Sequence, residues 1–200
     1  MGDGDVRVDK KVWRAYLAGP EVFLPDPGAA AEVLRAVCAR HGIVGVFPLD
    51  GAVAATPGEP PAAHAARIRA ANLALIRETD LVLANASPFR GPSADDGTAY
   101  EMGYATALGR PVFAYTETAD SLLERTRAHG PVTRSEDGAW RDPAGQMVED
   151  FGLGANLMLV DPAITARGRV GTHGLYQGAE AAVAAAAAWI AGQPPSPEIR

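Results

Sequence analysis

The chain has 200 residues, a formal net charge of −6, and a composition that is 48% hydrophobic and 21% charged. That length suits one domain spanning residues 1–200 with a sizeable core, while an acidic chain with scattered Lys and Arg is a poor match for nucleic acid, which needs clustered cations. The single cysteine, Cys38, excludes an internal disulfide and with it a stapled secreted fold. The opening MGDGDVRVDKK mixes charges of both signs and lacks an apolar core, so no signal peptide is expected. The longest apolar stretch, residues 181–191, is too short to span a bilayer. A cytoplasmic location with no membrane partner is therefore expected.

In chain order, residues 12–19 (VWRAYLAG) read as a strand ended by Gly19-Pro20. Residues 27–42 read as a helix with Pro near its start and Gly past its end, and Cys38 falls on it as a buried small hydrophobe. Residues 43–48 (IVGVFP) form a second strand, followed by the breaker-rich loop GAVAATPGEPP. Residues 62–80 carry Ile68, Ala71, Leu75 and Ile76 at helical spacing. A third strand (80–87), a turn-rich loop (88–97), a helix (98–109) and a fourth strand (110–116) follow. Residues 121–129 suit a short helix, 130–145 a loop or hairpin, 156–161 (NLMLVD) a last strand and 178–191 a closing helix. Residues 1–11 and 192–200 are expected to be loose tails. Strands alternating with helices predict an α/β fold with a doubly wound parallel sheet covered on both faces. In such sheets ligands sit at the carboxyl ends of the strands, which selects the loops 19–25, 48–60, 87–98 and 116 onward.

Several chemistries have no support. GxxxxGK[ST], GxGxxG and GxSxG are all absent. His41, His64, His129 and His173 share no metal-ligand spacing, so neither a metal nor an organic cofactor is expected; His64, opening a helix at the presumed ligand edge, is the histidine with most claim to a role. The dense polar segment is SPFRGPSADDGTAYEMGYATALG, which holds Asp95, Asp96 and Glu101. Asp95 and Glu101 lie six residues apart across a turn and the start of a helix, so both can face one cleft. A carboxylate pair suits glycosidic chemistry: one attacks the anomeric carbon and the other manages the leaving group's proton. The same residues also fit a capping box, with Thr98 as the cap and Glu101 reaching back to it, and Asp95 and Asp96 also suit a turn. A first-turn Glu would be kept ionised by the helix dipole.

Three segments together carry a resemblance: YLAGPEVFLPD (residues 16–26), SPFRGPSADDGTAYEMGYATALGRPVFAYT (87–116) and FGLGANLML (151–159). They resemble the nucleoside 2-deoxyribosyltransferase family, with the kinetoplastid-like branch nearest. That likeness implies a flavodoxin-like five-stranded fold and a ping-pong transfer of 2-deoxyribose between purine or pyrimidine bases through a deoxyribosyl-glutamate. Such an enzyme of nucleoside metabolism and nucleotide salvage takes nucleosides and free nucleobases as its small-molecule partners. By resemblance, Glu101 is the nucleophile, Asp95 the acid that binds the base and shuttles its proton, and Tyr16 the strand-end residue that orients the Glu. Asn72 falls near the base, Gly19, Pro20 and Phe23 in the loop that lines its pocket, and Gly97 with the substrate-binding residues. Asn156 matches an Asn that reaches a neighbouring subunit's site, which implies a homodimer or higher homo-oligomer with shared active sites; Asn156 also suits a chain turn. Met102, Met158, Phe89 and Tyr104 read as packing residues, Phe89 also as a pocket edge, and Arg90 as a loop or interface charge.

Two features depart from the family pattern. Some members end in a tyrosine whose carboxylate joins the site, whereas this chain ends in a Pro-rich tail with Arg200, and residues 117–150 form a longer stretch than expected. Hydrolysis of a nucleoside or nucleoside monophosphate through the same Glu is the competing reading. Asp95-Asp96 would repel a phosphate, which ranks the monophosphate variant lower. A nucleoside sensor without turnover is the third reading, and it has no need of both carboxylates.

Overall fold

The computed structural model describes residues 11–51, 53–160 and 172–193. Five strands, β1 (Trp13–Ala18), β2 (Ile43–Val46), β3 (Leu81–Asn85), β4 (Val112–Thr116) and β8 (Thr172–Gln177), form one parallel sheet in the order β2-β1-β3-β4-β8. This is the flavodoxin-like arrangement, and every residue of β3 and β4 is buried, as befits central strands covered on both faces.

Alternation along the strands sorts the core into two halves. Ala15, Leu17, Leu83, Phe113 and Tyr115 face α1 (Pro27–Arg40) and α5 (Gly178–Ala191), meeting Val37, Cys38, Ala182, Val183 and Ala186. Tyr16, Ala18, Val82, Ala84 and Ala114 face α2 (Pro61–Glu78) and α3 (Asp96–Ala107), meeting Ile76, Met102 and Ala105. Cys38 is 1% exposed, and burial pushes its thiol up to about 11, as an inert core residue requires.

Local signals explain the helix boundaries. Asp26 caps α1 by accepting from Ala29 N–H, with Pro27 in the first turn. Ser121 and Glu124 form a reciprocal capping box at α4 (Leu122–His129). Residues 130–145 do contain a hairpin: β5 (Thr133–Arg134) and β6 (Trp140–Arg141) pair antiparallel, and β7 (Met147–Val148) adds a third short strand.

Four sequence expectations are corrected. Residues 156–160 do not form a strand: the Asn156 side-chain oxygen accepts from Met158 N–H and closes a turn, and β8 occupies the place beside β4. Met158 is 81% exposed and packs into no core, and Ile68 is 42% exposed although its spacing suits a buried stripe. Helix α3 begins at Asp96 rather than Thr98, because Asp95 takes the cap. Of the expected tails, residues 1–10 and 194–200 lie outside the described residues. Lys11, by contrast, is paired with Asp80 at 2.8 Å. Among the described residues no helix is long and apolar enough to cross a membrane.

Candidate active site

The order β2-β1-β3 makes the chain wind in opposite directions from β1 and β3. A crevice therefore opens between the loops that follow these two strands. Tyr16 lies on β1, fully buried, with its phenol turned to the α3 side. Glu101 is the sixth residue of α3, and Tyr16 O–H donates to its Oε1 at 2.6 Å. The other carboxylate oxygen of Glu101 has no hydrogen bond among the described residues. Thr98 is not the cap and no capping box forms with Glu101; Thr98 is buried in the first turn and Glu101 lies in the second, free to face Tyr16.

Asp95 caps α3. Its Oδ2 accepts from Thr98 N–H at 2.9 Å and from Thr98 Oγ1 at 3.2 Å. One carboxylate oxygen thus holds the helix start, and Oδ1 makes no hydrogen bond among the described residues. Gly97 is exposed in that first turn, and a Cβ there would lie 3.0 Å from Asp95 Oδ2, pressing on the cap.

Burial is the main cause that raises Glu101, with Asp95 adding to it against the lowering donation from Tyr16; the carboxyl is pushed up to about 7. The expected dipole-stabilised anion is therefore replaced by a group poised between its two forms near neutrality. The same contact, with burial as the larger cause, raises the Tyr16 phenol far above its usual value.

This shift has a consequence for stability. A carboxyl raised from 4.5 to about 7 contributes stability that is full below pH 4.5 and is lost as pH rises through 7. Glu101→Gln is expected to match the wild type near pH 4 and to exceed it by about 3 kcal/mol at pH 8. Denaturant unfolding at the two pH values checks this; an equal gain at both would sink the account.

The other expected residues divide. Asn72 is half-buried on α2, on one stripe with Arg69, which donates to Tyr100 O–H of α3 at 2.6 Å, and with Ile76, which packs beside Tyr16 and Met102. Its amide has no hydrogen bond among the described residues. Gly19, Pro20 and Phe23 form the loop after β1, where Pro20–Phe23 is a 3-10 turn. Phe23, 55% exposed, stacks on Phe89 with ring centroids 5.3 Å apart and planes 18° from parallel. Asn156 stands apart: its amide donates to Glu149 Oε1 at 2.6 Å, and it lines with Asp96, Ala99 and Met158 an open groove of about 1100 Å³ along the flank of α3. Tyr16, Asp95 and Glu101 take no part in that groove. His64 fastens the loop before α2 through Val53 O at 2.7 Å.

One cluster escaped the sequence reading. Glu21 Oε1 accepts from Asn85 Nδ2 at 2.6 Å and from Tyr115 O–H at 3.2 Å. The only signals for it were a polar Asn ending the apolar run LVLAN and an acid inside the Gly19–Phe23 loop. Among the described residues no group of His, Cys, Asp and Glu is arranged to hold a metal ion.

A family model described as nucleoside 2-deoxyribosyltransferase matches residues 15–158. The chain is similar to a 2-desoxiribosyltransferase from Leishmania mexicana, with 31% identity, a TM-score of 0.66 and coverage of 88% of this chain and 97% of that one. It is also 30% identical to an uncharacterized protein of Schizosaccharomyces pombe over 159 residues, which are 74% of this chain and 75% of the relative.

Proposed function

The chain belongs to the nucleoside 2-deoxyribosyltransferase family, and on that premise we propose that it moves 2-deoxyribose between nucleobases through a covalent Glu101 intermediate. The observation that carries this reading is the Tyr16–Glu101 contact at 2.6 Å, at the carboxyl end of β1, with Asp95 beside it. The ionised Glu101 attacks C1′ of a 2′-deoxynucleoside with its unpaired oxygen while the C1′–N bond breaks. The departing base nitrogen takes its proton from Asp95 Oδ1, and a glutamyl ester at C1′ remains. A second base then attacks C1′, returns its proton to Asp95, and releases the carboxylate. Tyr16 holds Glu101 Oε1 throughout, which fixes the attacking oxygen and offsets part of the burial that disfavours the anion.

Asn72 faces the base with a free amide, and Gly19, Pro20, Phe23 and Gly97 shape its pocket. Asn156, remote from its own Glu101 in the α3 groove, serves the sugar site of a neighbouring copy in a homo-oligomer. No cofactor enters the scheme, and the setting is nucleoside salvage in the cytoplasm. Hydrolysis through the same intermediate differs only in that water takes the place of the second base.

Incubation with 2′-deoxyinosine and free adenine or cytosine, followed by chromatography, tests the proposal. Appearance of the new deoxynucleoside, only when an acceptor base is present, is the expected result. Free hypoxanthine without a new nucleoside assigns the chain to hydrolysis. No reaction with any of several donor–acceptor pairs overturns the glycosidic reading.

A further inference from the structure

Three side chains outside the catalytic pair meet at the carboxyl edge of the sheet on the α1/α5 side. Asn85 ends β3 and is 8% exposed, and its amide serves two loops at once. Nδ2 donates to Glu21 Oε1 at 2.6 Å in the loop after β1, and Oδ1 accepts from Ser87 N–H at 3.0 Å in the loop after β3. Tyr115, 4% exposed on β4, adds a second donor to Glu21 Oε1 at 3.2 Å. The chain makes room for this carboxylate: a Cβ on Gly19 would lie 2.0 Å from Glu21 Oε2 and 3.0 Å from Asn85 Cβ.

Each tethered loop carries a phenylalanine two residues further on. Glu21 precedes Phe23 and Ser87 precedes Phe89, and these are the two stacked rings. The Arg90 guanidinium lies 5.1 Å from the Phe23 centroid and 4.6 Å from that of Phe89, and it has no carboxylate partner among the described residues. Arg90 adopts φ 53, a left-handed conformation costly for a side chain with a Cβ, so the loop accepts strain to put the cation there. An aromatic face half open to solvent, stacked from one side and capped by a planar cation, is a platform for a planar heterocycle.

We propose that Glu21, held by Asn85 and Tyr115, is a positioning residue that keeps the Phe23–Phe89 platform assembled for stacking the exchanging nucleobase. The carboxylate touches no substrate; it fixes the 3-10 turn so that the Phe23 ring is already in place when the base arrives. Its loss raises the cost of ordering that turn, and the effect appears in base affinity rather than in the chemical step. This inference rests on the transferase reading for the identity of the ligand, but its measurement does not depend on turnover.

The test uses the full chain carrying Glu101→Gln, in which nothing turns over, and titrates free adenine and free cytosine by calorimetry. Adding Glu21→Ala is expected to weaken binding about tenfold. Glu21→Gln, which keeps the acceptor oxygen for both donors, is expected to restore affinity to within about threefold. In a Phe23→Ala background the Glu21→Ala change should cost less than about twofold, since the ring through which it acts is gone. If Glu21→Ala fails to fold, Tyr115→Phe removes one arm of the clamp alone and should weaken binding a few-fold. Unchanged affinity in the folded variants, or an undiminished Glu21 effect without Phe23, overturns the proposal. Clamp-dependent base binding in a protein that exchanges no bases refutes the transferase reading and leaves this one standing. Base exchange indifferent to Glu21 refutes this one alone, and failure to bind either base refutes both.

Discussion

Glu101→Gln is expected to lower base exchange by roughly ten-thousandfold or more, the scale on which loss of a covalent nucleophile is felt. The amide has nearly the shape of the carboxylate, and its oxygen still accepts from Tyr16 O–H, so the contact seen at 2.6 Å survives. What disappears is the anion proposed to bond to C1′. Mass spectrometry of the wild type quenched with a deoxynucleoside should show an adduct of deoxyribosyl mass, and the variant should show none. A variant that keeps a tenth of the wild-type rate would remove Glu101 from the role of nucleophile, whatever the fate of the fold.

Tyr16→Phe carries the second large effect, and its signature is a pH profile. Burial raises the Glu101 carboxyl, and the Tyr16 donation is the cause that pulls it back toward about 7. Without the hydroxyl, Glu101 Oε1 loses its donor and the anion becomes scarcer at neutral pH. The acid limb of kcat/KM, which rises as the free enzyme's carboxylate forms, is expected to move upward by about one pH unit. The rate at pH 7 should fall about ten- to a hundredfold, partly recovering at pH 9 as the anion forms again. A uniform loss at every pH would show that Tyr16 only shapes the pocket and does not tune Glu101. The phenol is fully buried, so the variant should be checked by thermal melting before its kinetics are read.

Tyr16 and Glu101 are 85 residues apart; Tyr16 stood out only through the family resemblance of residues 16–26, whereas Glu101 was legible from its place just after an acid-rich turn. The register of the helix start was not. The segment SADDGTAYE offers Asp95 and Thr98 as rival caps. Choosing between them decides whether Glu101 caps its own helix or faces another strand. Asp95 prevails where Thr98 is buried in the first turn and both its N–H and its hydroxyl lie within reach of Asp95 Oδ2. The same ambiguity explains the final strand. NLMLVD has the apolar density of a strand, whereas THGLYQ is half polar. An edge strand needs only one paired side and tolerates such a composition, so β8 takes the place beside β4 while Asn156 turns its own segment back.

Periodicity and breakers were enough, by themselves, to establish the alternation of strands and helices, the parallel sheet and the loops that gather at its carboxyl edge; the spacing of the carboxylates put Asp95 and Glu101 forward alongside a capping role, and Tyr16 was singled out only by family resemblance. These are properties of short stretches, set by local backbone preference and by which face of an element is apolar. Tertiary structure alone decided which oxygen of Glu101 meets Tyr16, that burial brings its carboxyl to about 7, that Glu21 joins Asn85 and Tyr115, and that Asn156 lies on the far flank of α3. Each of these depends on desolvation and on contacts between residues distant in sequence, and those exist only once the strands are in register.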